Sequence, residues 1–284
     1  MHKRSAAALL VILLAAICGS AQTSQPNPSA QPAKPNIRTV TAFVRLDRAN
    51  YQAQVADALK MLRAAKSVFT SAGYTVETIR ITTQPFPEFT KGLTPEQTLE
   101  FFHAYDKLAQ KEDFTPDIGA AMVKDSDDPK EADLLAQILA ETQTINGFVV
   151  VADDSGIHWN GVRAAARVIK YLEDHTEHSE GNFHFAAGAF PPAVAPFFPV
   201  SHTSDAGHGF AIGLESANVV QQVFASGKGD LNSSFNSLGD QLTAALGAQA
   251  KKVEEIAHAV AKSTGWKYQG IDLTPVPLKD ISIG

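Results

Sequence analysis

The chain has 284 residues, 44% hydrophobic and 19% charged, which supplies a large core and argues against bulk disorder. Its formal net charge is −6 and it has no lysine/arginine cluster, so it lacks the electrostatic footprint of a nucleic-acid or anionic-membrane binder. The only cysteine is Cys18; beyond it there is no thiolate nucleophile, thiyl radical or cysteine metal ligand, and a core of this size needs no disulfide.

Met1 to Ala21 carries the three parts of an export signal: the basic start Met1-His2-Lys3-Arg4-Ser5, the apolar run Ala6 to Cys18, and the small residues Gly19-Ser20-Ala21. The apolar run is too short for a spanning helix, which needs about 20 residues. Ile17 stands where lipidation of Cys18 would want a small residue. Cleavage after Ala21 is therefore expected, with a periplasmic or extracellular mature protein that keeps no membrane attachment. Gln22 to Asn36 is rich in proline, serine and glutamine without apolar periodicity, and reads as a disordered tether. One α/β domain is expected from Ile37 to Gly284.

The β-branched run from Ile37 predicts a strand ending near Asp47. Tyr51, Val55, Leu59, Leu62 and Phe69 recur at helical spacing, and Gly73 closes that helix. Tyr74 to Ile81 reads as a strand. Thr94-Pro95-Glu96-Gln97 joins an N-cap, a first-turn proline and a glutamine three residues after the cap, predicting a helix over 95–111. A strand near Pro116–Met122, a helix over Pro129–Glu141 and a short apolar strand over Gly147–Ala152 follow. A helix over Trp159–His175 precedes a strand over Asn182–Ala189. After a proline-rich loop come a strand over Gly209–Leu214, a helix from about Ser216 to Ala225, and a long helix carrying Leu231, Phe235, Leu238, Leu242, Leu246, Val253, Ile256 and Val260. Gly265 ends it before a last strand over Tyr268 to Leu273. Strands alternating with helices predict a largely parallel sheet or barrel with helices outside.

No GxGxxG, P-loop, GxSxG or HExxH pattern is present. Instead, six of the nine histidines fall between His158 and His208, and imidazole serves both as a metal ligand and as a proton carrier near neutral pH. His175 and His178 lie at a polar helix end, where a solvated position is expected. His184 sits between Phe183 and Phe185 in the expected strand, facing solvent or a partly polar layer. His158 follows a central apolar strand, where ligand sites of α/β proteins gather. Asp153, Asp154, Asn160 and Arg163 share that passage as candidate ligand-binding groups, although the aspartates equally suit a turn or a cap and Trp159 a plug at the barrel end. His202 ends a loop with four prolines and three phenylalanines, stiff enough for a pocket wall. His158 and His202 are expected to meet across one cavity.

Taken in order, Ile37-Arg38-Thr39-Val40-Thr41, Gly156-Ile157-His158-Trp159, Arg163-Ala164-Ala165-Ala166, Asn182-Phe183-His184-Phe185-Ala186-Ala187, Pro196-Phe197-Phe198-Pro199 with His202, and Gly270-Ile271-Asp272-Leu273 resemble the bacterial and archaeal proteins grouped as domain of unknown function 711. The likeness runs from about Ile37 to Gly284. It implies a pyruvate formate-lyase-like fold, a glycyl-radical-type α/β barrel with a cavity inside or at its mouth. It implies no particular reaction, and glycyl or thiyl radical chemistry is not expected without a cysteine. The sequence stops at Asp280-Ile281-Ser282-Ile283-Gly284, where such proteins continue. The expectation is an open, incomplete barrel prone to self-association through its sheet edges.

Three readings stay open. The first is an enzyme for a small polar substrate, with His158 and His202 as acid/base groups or ligands of a divalent metal and Arg163 as an anion clamp. The second is a non-catalytic periplasmic module that binds a small ligand. The third is an inactive, truncated paralogue.

Overall fold

The computed structural model describes residues 34–204, 206–226 and 235–273. The expected leader, the tether up to residue 33, Leu231 and the stretch from 274 to Gly284 lie outside the described residues. At the end of the expected tether, Lys34 donates to the Ala72 carbonyl at 2.8 Å and lies 5.0 Å from the Tyr74 ring. The first strand, β1 (Asn36–Val44), already begins at Asn36.

The chain then alternates through α1 (Tyr51–Ser71), β2 (Val76–Thr83), the short α2 (Phe86–Thr90), α3 (Pro95–Glu112), β3 (Thr115–Met122), α4 (Pro129–Glu141) and β4 (Asn146–Asp153). A two-residue strand β5 (Gly156–Ile157) folds back on the end of β4 before α5 (Trp159–His175). A 3-10 segment (Glu177–His184) leads into β6 (Phe185–Ala189), and the two-residue strands β7 (Val194–Ala195) and β8 (His202–Thr203) pair with each other. The described residues close with β9 (Gly209–Glu215), α6 (Ala217–Ser226), α7 (Phe235–Thr264) and β10 (Lys267–Asp272).

Local signals in the sequence act as expected. The Thr94 hydroxyl accepts from the Gln97 amide at 3.3 Å while the Gln97 side chain accepts from the Thr94 amide at 3.0 Å, so the capping box satisfies two donors at the start of α3. Val55, Leu59, Leu62 and Phe69 of α1 are all buried. Strand boundaries shift: β1 ends at Val44 instead of near Asp47, β2 begins at Val76 instead of Tyr74, and β6 begins later than expected. Asn182–His184 belongs to the 3-10 segment, which leaves Phe183 82% exposed, and the strand starts only at Phe185. Phe183 therefore packs on neither face of the sheet.

The sheet runs β10-β9-β1-β2-β3-β4-β6, with β5 attached to β4. Strands β1, β2, β3, β4 and β6 are parallel in chain order, as helical crossovers require. Strand β9 runs antiparallel to β1 because no helix precedes it; the chain returns through the long loop after β6 and enters from the opposite end. Strand β10 lies parallel to β9. Among the described residues β6 and β10 each pair on one side only, so the sheet is open.

Alternation along the strands sorts the side chains. Val40, Ala42 and Val44 of β1 and Ile79 and Ile81 of β2 join the main core with residues of α1, α3, α4, α5 and α7. Thr39, Thr41 and Phe43 of β1, and Arg80 and Thr82 of β2, point to the other, inner face. There a small apolar cluster of Ala120, Phe148 and Val150 packs with Ala186 and Val200. The inner face is covered by residues 190–204, a strap rather than a helix.

Candidate functional site on the inner face

The parallel register sets a polar strip beneath the strap. Thr41 stands beside Arg80, and Thr82 beside Asp117. The Thr39 and Thr41 hydroxyls lie 3.2 Å apart. Gly119 has a left-handed φ of 73°, and a Cβ there would fall 2.8 Å from the Gln84 carbonyl oxygen, so glycine is required for β3 to pass this close. Its amide donates to Asp117 Oδ1 at 2.9 Å.

The strap is pinned to this strip through Ser201. Its backbone amide lies close enough to the Asp117 carboxyl group to favour the ionised form. Its hydroxyl donates to the Ala195 carbonyl at 2.6 Å, so in the 2.6 Å contact between the two hydroxyls Thr82 is the donor and Ser201 the acceptor. Phe198 covers Arg80, with 4.4 Å from the guanidinium carbon to the ring centre. The His202 ring lies 5.8 Å from that of Phe148. At Gly188 of β6 a Cβ would come within 2.8 Å of Val200, so the strap rests on bare backbone there.

Burial tunes the three ionisable groups of the strip. It pushes the fully buried Asp117 carboxyl well above the usual carboxylate range, overriding the amides of Gly119 and Ser201 and the positive field of Arg80. It lowers Arg80 to about 10, with the charge of Arg38 acting in the same direction. It also holds His202 below the ordinary imidazole value. The strip thus combines a carboxyl group biased toward its protonated form, a neutral imidazole and a guanidinium cation. Among the described residues each also carries a buried atom without a hydrogen-bond partner: Asp117 Oδ2, Arg80 Nε and His202 Nδ1. A buried polar atom left unpaired costs about 1–3 kcal/mol, so three on one face call for a reason.

The opposite side of the strap, with β6, β9 and β10, encloses a cavity of about 500 Å³. Its walls include Ala187–Ala189 of β6 and Gln269–Asp272 of β10. Because these are the two edge strands of one sheet, the sheet curls until both edges border the same space. The strap divides this concave interior into a filled polar floor and an open apolar chamber.

The family of the chain follows from its sequence as a whole. A profile for the family described as Uncharacterised ACR (DUF711) matches residues 30–284. The chain belongs to the DUF711 family. A search of curated proteins finds no match.

In this DUF711 protein five of the residues expected from sequence gather around the start of α5. His158 stands at the N-cap position of α5 without a side-chain capping bond and is only 3% exposed; its Nε2 lies 3.1 Å from Asp153 Oδ1. Asp153 also accepts from the Ser155 amide at 2.7 Å and from the Ser155 hydroxyl at 2.5 Å, and these bonds lower its pKa more than His158 does. Asp154 is exposed in the same turn. Asn160 docks on Asp125, its amide donating to Oδ1 at 2.6 Å and its side chain to the Asp125 carbonyl at 3.0 Å. Arg163 is exposed and donates to Asn160 Oδ1 at 2.8 Å. Trp159 is 58% exposed and plugs nothing. This constellation closes a turn and the start of a helix.

His202 alone among the expected residues reaches the inner face. Among the described residues no hydrogen bond, ion pair or ring contact joins it to His158, and no group of three histidine, aspartate or glutamate side chains is arranged to hold a metal. His175 and His178 are exposed, His175 stacked on Tyr171 at 3.9 Å. Arg80, Asp117 and Ser201 escaped the sequence reading. The signal for two of them was there: Arg80 interrupts the apolar strand Thr78-Ile79-Arg80-Ile81 and Asp117 interrupts Pro116-Asp117-Ile118-Gly119-Ala120, positions where a charge in a central strand needs a purpose.

Proposed function

We propose that this DUF711 protein is an exported enzyme that acts on a small anionic molecule inside its curled sheet. Arg80 holds the anion, Asp117 donates a hydrogen bond from its protonated carboxyl group, and His202 carries the proton. The observation behind this reading is that Arg80 and Asp117 lie in each other's field under the strap that carries His202, each of the three with a buried atom that has no partner among the described residues. A ligand that bonded to them would remove the cost of each. The consecutive parallel strands, the helices on one face and the shared cavity between the sheet edges support an open version of the glycyl-radical-type barrel, here without radical chemistry.

Thermal unfolding of the mature protein with millimolar mono- and dicarboxylates or phosphate tests the assignment, since a ligand that binds only the native state raises Tm. At least one anion should raise Tm in the wild type and lose its effect in Arg80→Gln. If no anion moves Tm, or R80Q responds as the wild type does, Arg80 is not the anion partner. The complete burial of Asp117 beneath Ser201 favours a second reading, a non-catalytic ligand-binding module whose polar strip only anchors the strap. In that case His202→Ala leaves ligand binding unchanged. Export itself predicts Gln22 as the N-terminus of the protein recovered from a Gram-negative host.

A further inference from the structure

The strap that roofs the polar strip is a small body of its own. Strands β7 and β8 pair with each other, the Ser201 hydroxyl donates to the Ala195 carbonyl, and the Ser204 amide donates to the Ala193 carbonyl at 3.0 Å. Pro191, Pro192, Pro196 and Pro199 fix φ along it, so it moves as a unit rather than by bending within. It meets the sheet through the Thr82–Ser201 hydroxyl contact, the Phe198 ring over Arg80, and Val200 against the cluster of Ala120, Phe148 and Val150. That cluster is far smaller than the apolar layer under the helices, and segments with little apolar burial open at a lower free energy than the fold as a whole. The two ends are tied down. The Phe190 amide donates to the Ala152 carbonyl at 2.9 Å, and the His208 amide to the Phe43 carbonyl at 2.8 Å. Phe190 and His208 both have a left-handed φ, 51° and 61°, which strains a residue with a side chain and marks the two pivots. Beyond the strap lies the cavity of about 500 Å³, room into which it can swing.

We infer that the strap is a lid on the polar strip, opening while the strip is empty and held shut by the ligand that binds there. Closed over an empty strip, it withholds water from Asp117 Oδ2, Arg80 Nε and His202 Nδ1, which have no partner among the described residues. Opening hydrates all three and removes the cost of burying them unpaired. A ligand bonded to the same atoms removes that cost in the closed form, so its differential affinity shifts the population toward closure. As the strap lifts, Ser201 leaves Thr82 and Phe198 leaves Arg80, which clears the way to the guanidinium. The identity of the closing ligand rests on the anion reading given above; the opening rests on the strap alone.

Thiol labelling tests the lid without any ligand. Cys18 is the only cysteine and lies outside the described residues, so the parent chain supplies the background. Ala120→Cys puts a thiol in the cluster that Val200 covers, and Ala65→Cys puts one under α1; both alanines are buried. With allowance for the global stability of each variant in urea, A120C should react about a hundredfold or more faster than A65C. Val150→Cys, in the same cluster, repeats the measurement should A120C not fold. Millimolar phosphate or succinate should slow the labelling of A120C by about tenfold or more, and should lose that effect when Arg80→Gln is added. Equally slow labelling at positions 120 and 65 would overturn the lid, whatever anions do to Tm. Fast labelling at position 120 that neither anion slows would uphold the opening and overturn the anion reading of the strip.

Discussion

The two faces of this sheet are built on different principles. Toward the helices, Val40, Ala42, Ile79, Ile81 and Ile118 meet α1, α3, α4, α5 and α7 in one continuous apolar layer. Toward the strap, the central strands offer Thr39, Thr41, Arg80, Thr82 and Asp117, and three buried atoms there have no partner among the described residues. The first face supplies stability. The second keeps buried polar groups without partners among the described residues, and such groups weaken a fold.

The largest expected effect lies on the helix side. Phe102 of α3 is fully buried and meets the rings of Phe86, Phe89 and Phe101 at 5.2–6.1 Å. Phe102→Ala should cost about 3–5 kcal/mol in urea unfolding. A loss below about 1 kcal/mol would mean that this layer does not carry the stability assigned to it.

On the inner face the expected effect depends on pH. The folded pKa of Asp117 lies above its unfolded value, so its contribution is complete below about pH 4 and declines as pH rises. The decline should be about 1.4 kcal/mol per pH unit until the folded pKa is passed. Asp117→Asn removes the titration, so its stability relative to wild type should climb across that window. Parallel pH profiles for the two proteins would show that Asp117 ionises as freely folded as unfolded.

His202 works in the opposite sense. Its folded pKa lies below the unfolded one, so its contribution is complete above about pH 6.5 and is lost as pH falls through the folded value. His202→Gln should flatten the acid limb of the stability curve in part. His184, also lowered by burial, should account for some of the slope that remains. An acid limb as steep in H202Q as in wild type would place His202 in a more solvated setting than the strap provides.

The smallest effect returns to the helix side. Thr94→Ala removes one arm of the capping box of α3 and should cost about 1 kcal/mol, read from the urea midpoint at constant m-value. Because the box is local and exposed, the loss should be independent of pH, in contrast to both inner-face variants.

Much of the fold was legible in the residues because the signals are local. The Thr94 box, the α1 stripe, the bounds of α4 and α5 and the glycine at Gly265 rest on spacing within a turn or two of chain. The same local signals drew attention to His158, Asp153, Asn160 and Arg163, which are near in sequence and do meet one another, as a turn and a helix start. What the sequence could not display is assembly at a distance. Arg80, Asp117 and Ser201 come from two strands and a loop, and only strand register and the path of the strap bring them to one strip; the Thr82–Ser201 contact alone spans 119 residues. The antiparallel entry of β9 and the single cavity bordered by β6 and β10 have the same origin. Periodicity decides which way a side chain points along its own element, whereas its neighbours across the sheet are decided by how the elements pack.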